Sequence, residues 1–262
     1  MFDKTFFKTM HLMLITIIFL TGVESCKKDD GGDLPPVNPT GKLEKLNEFK
    51  LVVTEPSGLS FGPYGNTLLM VSDNTNKVYE TDLQGDVMRE LAYVGMDLEG
   101  VSFNPDEQIV AVAEERKRQV VFLDYVNGEE QERFDIATGG NTDNKGLEGI
   151  SYNDKNKAYY LVNEDVPGEM IVWSKIFGNI STTELHFASD YSAIYVDTKN
   201  ALVYIVSDES QMLYKCDYNA KVLKEYPLPD TKFEGIVVDD DNQLVYLVND
   251  KTAELFVFKF LN

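Results

Sequence analysis

The chain of 262 residues is 43% hydrophobic and carries 24 Lys and Arg against 44 Asp and Glu, a formal net charge of −20. That much apolar side chain can fill a sizeable core. A surface this acidic excludes nucleic acid and an anionic bilayer surface as partners, because both repel it unless a basic patch compensates. The densest basic run, Arg116-Lys117-Arg118, directly follows Glu114-Glu115 and reads as a solvated turn.

Residues 1–25 read as a secretory signal: Lys4 and Lys8 precede an apolar run from Leu12 to Leu20 that is short for a bilayer span. Val23-Glu24-Ser25-Cys26 resembles a relaxed bacterial lipobox, although Glu24 departs from the small or apolar residue usual there. Cys26 is therefore the expected lipid anchor and membrane contact. Lys27-Lys28-Asp29-Asp30 resembles the surface-export tag of Bacteroidetes lipoproteins. An outer-membrane lipoprotein of the bacterial cell envelope follows as the expected location, with exposure at the cell surface one option. Residues 26–41 are the expected flexible tether, since Gly31 to Gly41 is largely Gly, Asp, Pro and Asn and cannot build a core. The second cysteine, Cys216, lies in a strand-like run, so no disulfide framework is expected.

From residue 42 to 262 one unit recurs. Asp97-Leu98-Glu99-Gly100-Val101-Ser102-Phe103 is followed sixteen residues after its Glu by Glu115. Gly146-Leu147-Glu148-Gly149-Ile150-Ser151-Tyr152 is followed at the same offset by Glu164, and Lys232-Phe233-Glu234-Gly235-Ile236-Val237-Val238 by Asp250. Two degenerate copies pair Ser57 with Asp73 and Ser192 with Asp208. Successive copies are 42 to 49 residues apart, a blade period. Helical periodicity is scarce, so the fold expected is all-β: a five-bladed β-propeller of four-stranded blades.

The strand count also predicts how the ring closes. Leu46 to Leu51 occupies the slot of an outermost strand with no blade before it, while the last blade, ending Leu255 to Phe260, lacks a fourth strand. The N-terminal strand should complete the final blade and cover both exposed edges. The A–B turns, among them Asn104-Pro105-Asp106-Glu107 and Asp239-Asp240-Asp241-Asn242, share one register; Asp239 to Asp241 therefore read as hairpin residues rather than a metal loop.

In a propeller blade the innermost strand crosses from face to face and the second returns, so an offset of sixteen brings its ends together beside the central channel. Glu99 should meet Glu115, Glu148 should meet Glu164 and Glu234 should meet Asp250, with Asp73 and Asp208 extending the rim. Like charges this close oppose joint ionisation, so the cluster must be screened, protonated or metallated. Hard oxygen donors without histidine or thiolate favour Ca²⁺. The strongest candidate metal ligands are Glu99, Glu148 and Glu234. An aspartate before a turn is also an ordinary cap, whereas glutamate serves poorly there. Ser57 and Ser192 could be neutral ligands or hold water; neither sits in a nucleophile elbow. Trp173 is expected in inter-blade packing and His186 at the periphery. The loop Thr138 to Lys145 is expected at the acidic face.

Glu55-Pro56-Ser57-Gly58-Leu59, Asp97-Leu98-Glu99, Glu114-Glu115-Arg116, Gly146-Leu147-Glu148-Gly149, Ser189-Asp190-Tyr191-Ser192-Ala193 and Glu234-Gly235-Ile236 together resemble the SdiA-regulated, YjiK-like family, distant kin of NHL-repeat propellers. The resemblance spans residues 42–262 and implies five blades with a calcium site in the central region, best carried onto Glu99, Glu148 and Glu234, with Glu115, Glu164 and Asp250 next. It implies no activity. The expectation is a monomeric, non-catalytic binding module for a small-molecule or protein ligand. The alternative is a Ca²⁺-dependent hydrolase similar to propeller phytases or lactonases.

Overall fold

The computed structural model describes residues 39–140, 145–164 and 167–261. The signal segment and Cys26 lie outside the described residues. Five four-stranded antiparallel sheets make up the domain. Blade one contains β2 (Pro56–Phe61), β3 (Leu68–Ser72), β4 (Lys77–Thr81) and β5 (Val87–Val94). Blade two contains β6 (Leu98–Asn104), β7 (Ile109–Glu114), β8 (Gln119–Asp124) and β9 (Glu130–Asp135). Blade three contains β10 (Leu147–Asn153), β11 (Ala158–Asn163), β12 (Glu169–Ser174) and β13 (Gly178–Glu184). Blade four contains β14 (Ala193–Asp197), β15 (Leu202–Ser207), β16 (Met212–Asp217) and β17 (Val222–Pro227). Blade five joins β18 (Phe233–Asp239), β19 (Leu244–Asn249) and β20 (Glu254–Leu261) to the N-terminal β1 (Lys42–Lys50), the closure expected from the strand count.

β1 pairs antiparallel with β20 from Lys42 opposite Leu261 to Lys50 opposite Glu254. The seam is fastened further by residues just ahead of it. Gly41 N–H donates to Glu225 O at 2.7 Å, Glu225 N–H donates to Pro39 O at 3.1 Å, and Thr40 bridges Glu225 in parallel. The chain thus touches the outer strand of blade four before crossing to blade five.

Burial explains why each strand reads as it does. The middle strands β7, β11 and β12 are buried at every position, because neighbouring blades cover both faces, so they are nearly continuous apolar runs. The outer strands β9 and β13 face solvent and are polar. Apolar side chains collect in five clusters, one for each junction between blades. Phe122, Phe134, Tyr159 and Trp173 fill the junction of blades two and three, so Trp173 packs between blades. Burying one such aromatic or aliphatic side chain contributes about 1.5–3 kcal/mol.

The inner strands touch one another around the axis. Serine hydroxyls link them: Ser60 accepts from Phe103 N–H at 3.1 Å, Ser102 from Tyr152 N–H at 2.8 Å and Ser151 from Val196 N–H at 3.0 Å. Closer to the other end the strands pack backbone against backbone. A Cβ on Gly100 would lie 2.9 Å from Ile150 N, which explains the glycine that follows the inner-strand glutamate. The A–B turns of blades two to five are Asx turns, with Asn153 Oδ1 accepting from Lys155 N–H and Asp239 Oδ1 from Asn242 N–H, while blade one uses the short 3-10 turn Pro63–Gly65. His186 is exposed at the periphery, 3.5 Å from Glu184.

Candidate metal centre

Glu99, Glu148 and Glu234 each occupy the same backbone irregularity. Leu98 pairs with Glu114 and Gly100 with Ala113, leaving Glu99 as the extra residue of a β-bulge. Glu148 is left over between Leu147 and Gly149, and Glu234 between Phe233 and Gly235. A bulge turns a side chain away from the ordinary alternation, and here it presents the carboxylate to the central channel. Ser57 occupies the matching bulge in blade one.

The acids sixteen residues later are tied to the same end of the channel by their own backbone. Asp73 N–H donates to Glu55 O at 3.1 Å, Glu115 N–H to Asp97 O at 2.9 Å, Glu164 N–H to Gly146 O at 2.9 Å and Asp250 N–H to Lys232 O at 3.0 Å. Each acceptor lies two residues before the bulge residue. Blade four replaces that carbonyl with a side chain: Asp208 N–H and Glu209 N–H donate to the Asp190 carboxylate at 3.3 and 3.1 Å. The constant offset is therefore a closed hydrogen-bonded loop repeated around the ring.

These loops build a basin of about 230 Å³ lined by Asp73, Glu99, Glu115, Glu148, Glu164, Asp190, Ser192, Asp208, Lys232, Glu234 and Asp250. Among the described residues that is nine carboxyl groups around one ammonium. All six residues expected as ligands are on it. The spacing did not single out Asp97, Asp190 or Lys232, yet each sits two positions before the bulge residue of its blade or its equivalent, so the repeat frame itself was the signal. Ser57 is absent from the lining. Its buried hydroxyl donates to Leu98 O across the junction of blades one and two instead of facing the channel.

The carboxylates form two tight groups. Oxygens of Asp73, Asp97 and Glu99 lie within 4.8 Å of one another, as do oxygens of Glu115, Glu148 and Glu164. Glu234 and Asp250 share the basin but join neither group. Arg116 Nε reaches Asp97 Oδ2 at 2.9 Å, and Lys145 Nζ comes within 3.8 Å of Glu164. Lys232 Nζ lies 2.9 Å from Asp208 and 3.4 Å from Glu234.

In the metal-free ring the electrostatic consequence is proton uptake. Burial, then the charges of Glu234, Asp73 and Glu115, push Glu99 well above the usual carboxylate range. Burial, then Glu99, Glu115 and Glu164, do the same to Glu148. Burial and a shared hydrogen bond with Asp97 raise Glu115 to about 7, and burial with the charge of Asp250 raises Glu234 to about 8. Burial and its contact with Asp208 raise Asp190 to about 7. Burial opposes the charge on Asp208, but Asp190 and Lys232 hold that residue below its ordinary value, so the two aspartates share one proton. The donor set is all oxygen, and histidine and thiolate are missing from the lining. It fits a hard cation such as Ca²⁺, which takes six to eight oxygens. Carboxylates that must otherwise be protonated are the groups such an ion would stabilise.

The family model for SdiA-regulated proteins matches residues 43–259. The chain belongs to the SdiA-regulated family. Among solved structures, this SdiA-regulated propeller is similar to Myxococcus xanthus glutaminyl cyclase, with a TM-score of 0.67 and 10% identity over 85% of this chain and 98% of that one. It is also similar to Kuenenia stuttgartiensis hydrazine synthase, with a TM-score of 0.51 and 15% identity over 76% of this chain and 56% of that one. At these identities the likeness concerns the fold of the SdiA-regulated chain.

Proposed function

We propose that this propeller is a calcium-binding, non-catalytic binding module of the bacterial cell envelope, held to the outer membrane through a lipid on Cys26. The observation that carries the calcium reading is the basin itself, nine carboxyl groups around a single lysine. Without a divalent ion the inner glutamates must hold protons against their ordinary acidity; with one, they ligate it. Glu99, Glu148 and Glu234 supply the deepest oxygens, Glu115, Glu164 and Asp250 the rim. A rigid ring with an ion at its mouth offers a small-molecule or protein ligand open coordination positions and a fixed acidic frame. The net charge of −20 speaks against nucleic acid as that ligand.

The test is calorimetric Ca²⁺ titration of the full chain beside a Glu99→Gln, Glu148→Gln, Glu234→Gln variant. Binding in the parent and none in a folded variant supports the reading; no binding in the parent defeats it.

One observation favours a calcium-dependent hydrolase as the second reading. Lys232 stands inside the basin, where phosphoester chemistry would need a cation beside the metal. Calcium-stimulated turnover of a phosphomonoester or lactone, lost in Glu148→Gln, would make catalysis the better account.

A further inference from the structure

Five blades of one design permit each junction to be compared with the others. Three positions meet at a junction: the acid after the second strand of one blade, the residue two before the bulge of the next, and the bulge residue itself. Between blades four and five these are Asp208, Lys232 and Glu234. The lysine ammonium stands between the two carboxylates, 2.9 Å from one and 3.4 Å from the other. Between blades one and two the same positions hold Asp73, Asp97 and Glu99, with oxygens within 4.8 Å of one another. A covalently attached cation at one junction thus marks a place that gathers three acids at another, where Arg116 reaches only Asp97.

The side chains at the second place are suited to a free cation. Glu99 faces the basin, and its carboxyl accepts no hydrogen bond among the described residues. Asp97 is buried. Arg116 approaches Asp97 from outside the basin lining. The junction of blades two and three is a second such place, where Glu115 and Glu148 are joined by Glu164 in the other compact group. Here the position two before the bulge is Gly146, whose N–H donates to Glu115 Oε1 at 3.0 Å. Oxygens around one calcium lie 2.3–2.6 Å from it, so they span about 5 Å across the ion. Each group fits one such shell. Ser57 and Ser192 replace the bulge glutamate at the other two junctions, and neither belongs to a compact acidic group.

We infer that the basin holds two divalent cations, one on Asp73, Asp97 and Glu99 and one on Glu115, Glu148 and Glu164, with the Lys232 ammonium filling the equivalent place between blades four and five. The inference rests on the calcium reading above and deepens it. Charge supports the number: two divalent ions with Lys232, Arg116 and Lys145 bring seven positive charges to ten carboxylates, the nine of the basin and Asp97. A single ion would leave one group of three carboxylates packed within 4.8 Å beside a single flanking cation, Arg116 at Asp97 or Lys145 at Glu164.

The deciding measurement is calcium stoichiometry of the full chain, stripped of metal, by equilibrium dialysis and native mass spectrometry. Two ions per chain are expected. Asp73→Asn and Glu164→Gln should each leave one, and the double variant none, with circular dichroism confirming that each is folded. Lys232→Gln should raise the count to three; an unchanged two would overturn the equivalence of the lysine to an ion. One ion in the parent overturns the pair and leaves the calcium reading standing. None in the parent overturns both, and this parent count depends on no variant folding. Loss of all calcium from either folded single variant also overturns two separate places.

Discussion

The hydroxyl of Ser192 donates a 3.0 Å hydrogen bond to the carbonyl oxygen of Phe233, the residue immediately before Glu234. Ser57 does the same for Leu98, immediately before Glu99. Where a blade carries serine in place of the bulge glutamate, its side chain steadies the bulge of the next blade. Ser192→Ala should therefore weaken calcium binding several-fold through a looser Glu234, at a stability cost of about 1 kcal/mol. Calorimetry beside a denaturant melt separates the two effects. An unchanged affinity would reduce Ser192 to a packing role.

The calcium-free protein should lose stability as pH rises. Glu115 and Glu234 keep their protons in the folded ring up to about 7 and about 8, against an ordinary value of 4.5 that the unfolded chain retains. Between those values the folded state binds more protons, so a higher pH favours unfolding; below 4.5 both states are protonated and the penalty disappears. Glu80 and Glu114 have lowered values, and their contribution is lost only at pH below that window. The melting temperature should fall by on the order of 5 °C between pH 5 and pH 9 without calcium, and much less with it. Thermal melts in chelator and in excess calcium would show this. A flat profile in chelator would contradict the shared protons.

Gly100→Ala should destabilise the ring by about 1–3 kcal/mol, since the added methyl meets the backbone of blade three with no side chain to yield. Gly178→Ala has open space around it but a φ of +68°, so its smaller cost of about 1 kcal/mol comes from the backbone alone. Urea denaturation of both variants should rank them in that order.

Removing residues 39–50 should uncover the edge of β20 and the apolar side chains beneath β1. The expected result is a large drop in melting temperature and edge-to-edge association visible by size-exclusion chromatography. A monomer with the parent's melting temperature would show that closure through β1 is dispensable.

The architecture was legible because five copies of one unit set the blade count, and an unpartnered strand at each end set the closure. The convergence of Glu99 with Glu115 and of Glu148 with Glu164 followed from a constant offset. The bulges were not legible: Glu99 leaves the ladder because Leu98 and Gly100 pair around it, which alternation alone does not reveal. Lys232 was hidden for a different reason. It precedes an ordinary strand as any turn residue does, and only alignment with Asp97 shows that it stands in a ring of acids. Ser57 could have been a neutral ligand by its position in the repeat, yet its short hydroxyl reaches a carbonyl across the junction and is absent from the basin lining.

Closure through β1 and β20 also sets a timetable. Lys42 pairs with Leu261, so β1 waits for a partner strand made more than two hundred residues later. Until then blade five lacks its outer strand, and the blade-four contact at Glu225 is not yet locked by a finished neighbour. Contacts this distant along the chain form slowly. A ring that closes through its two most distant strands keeps an open, threadable state until β20 has been made.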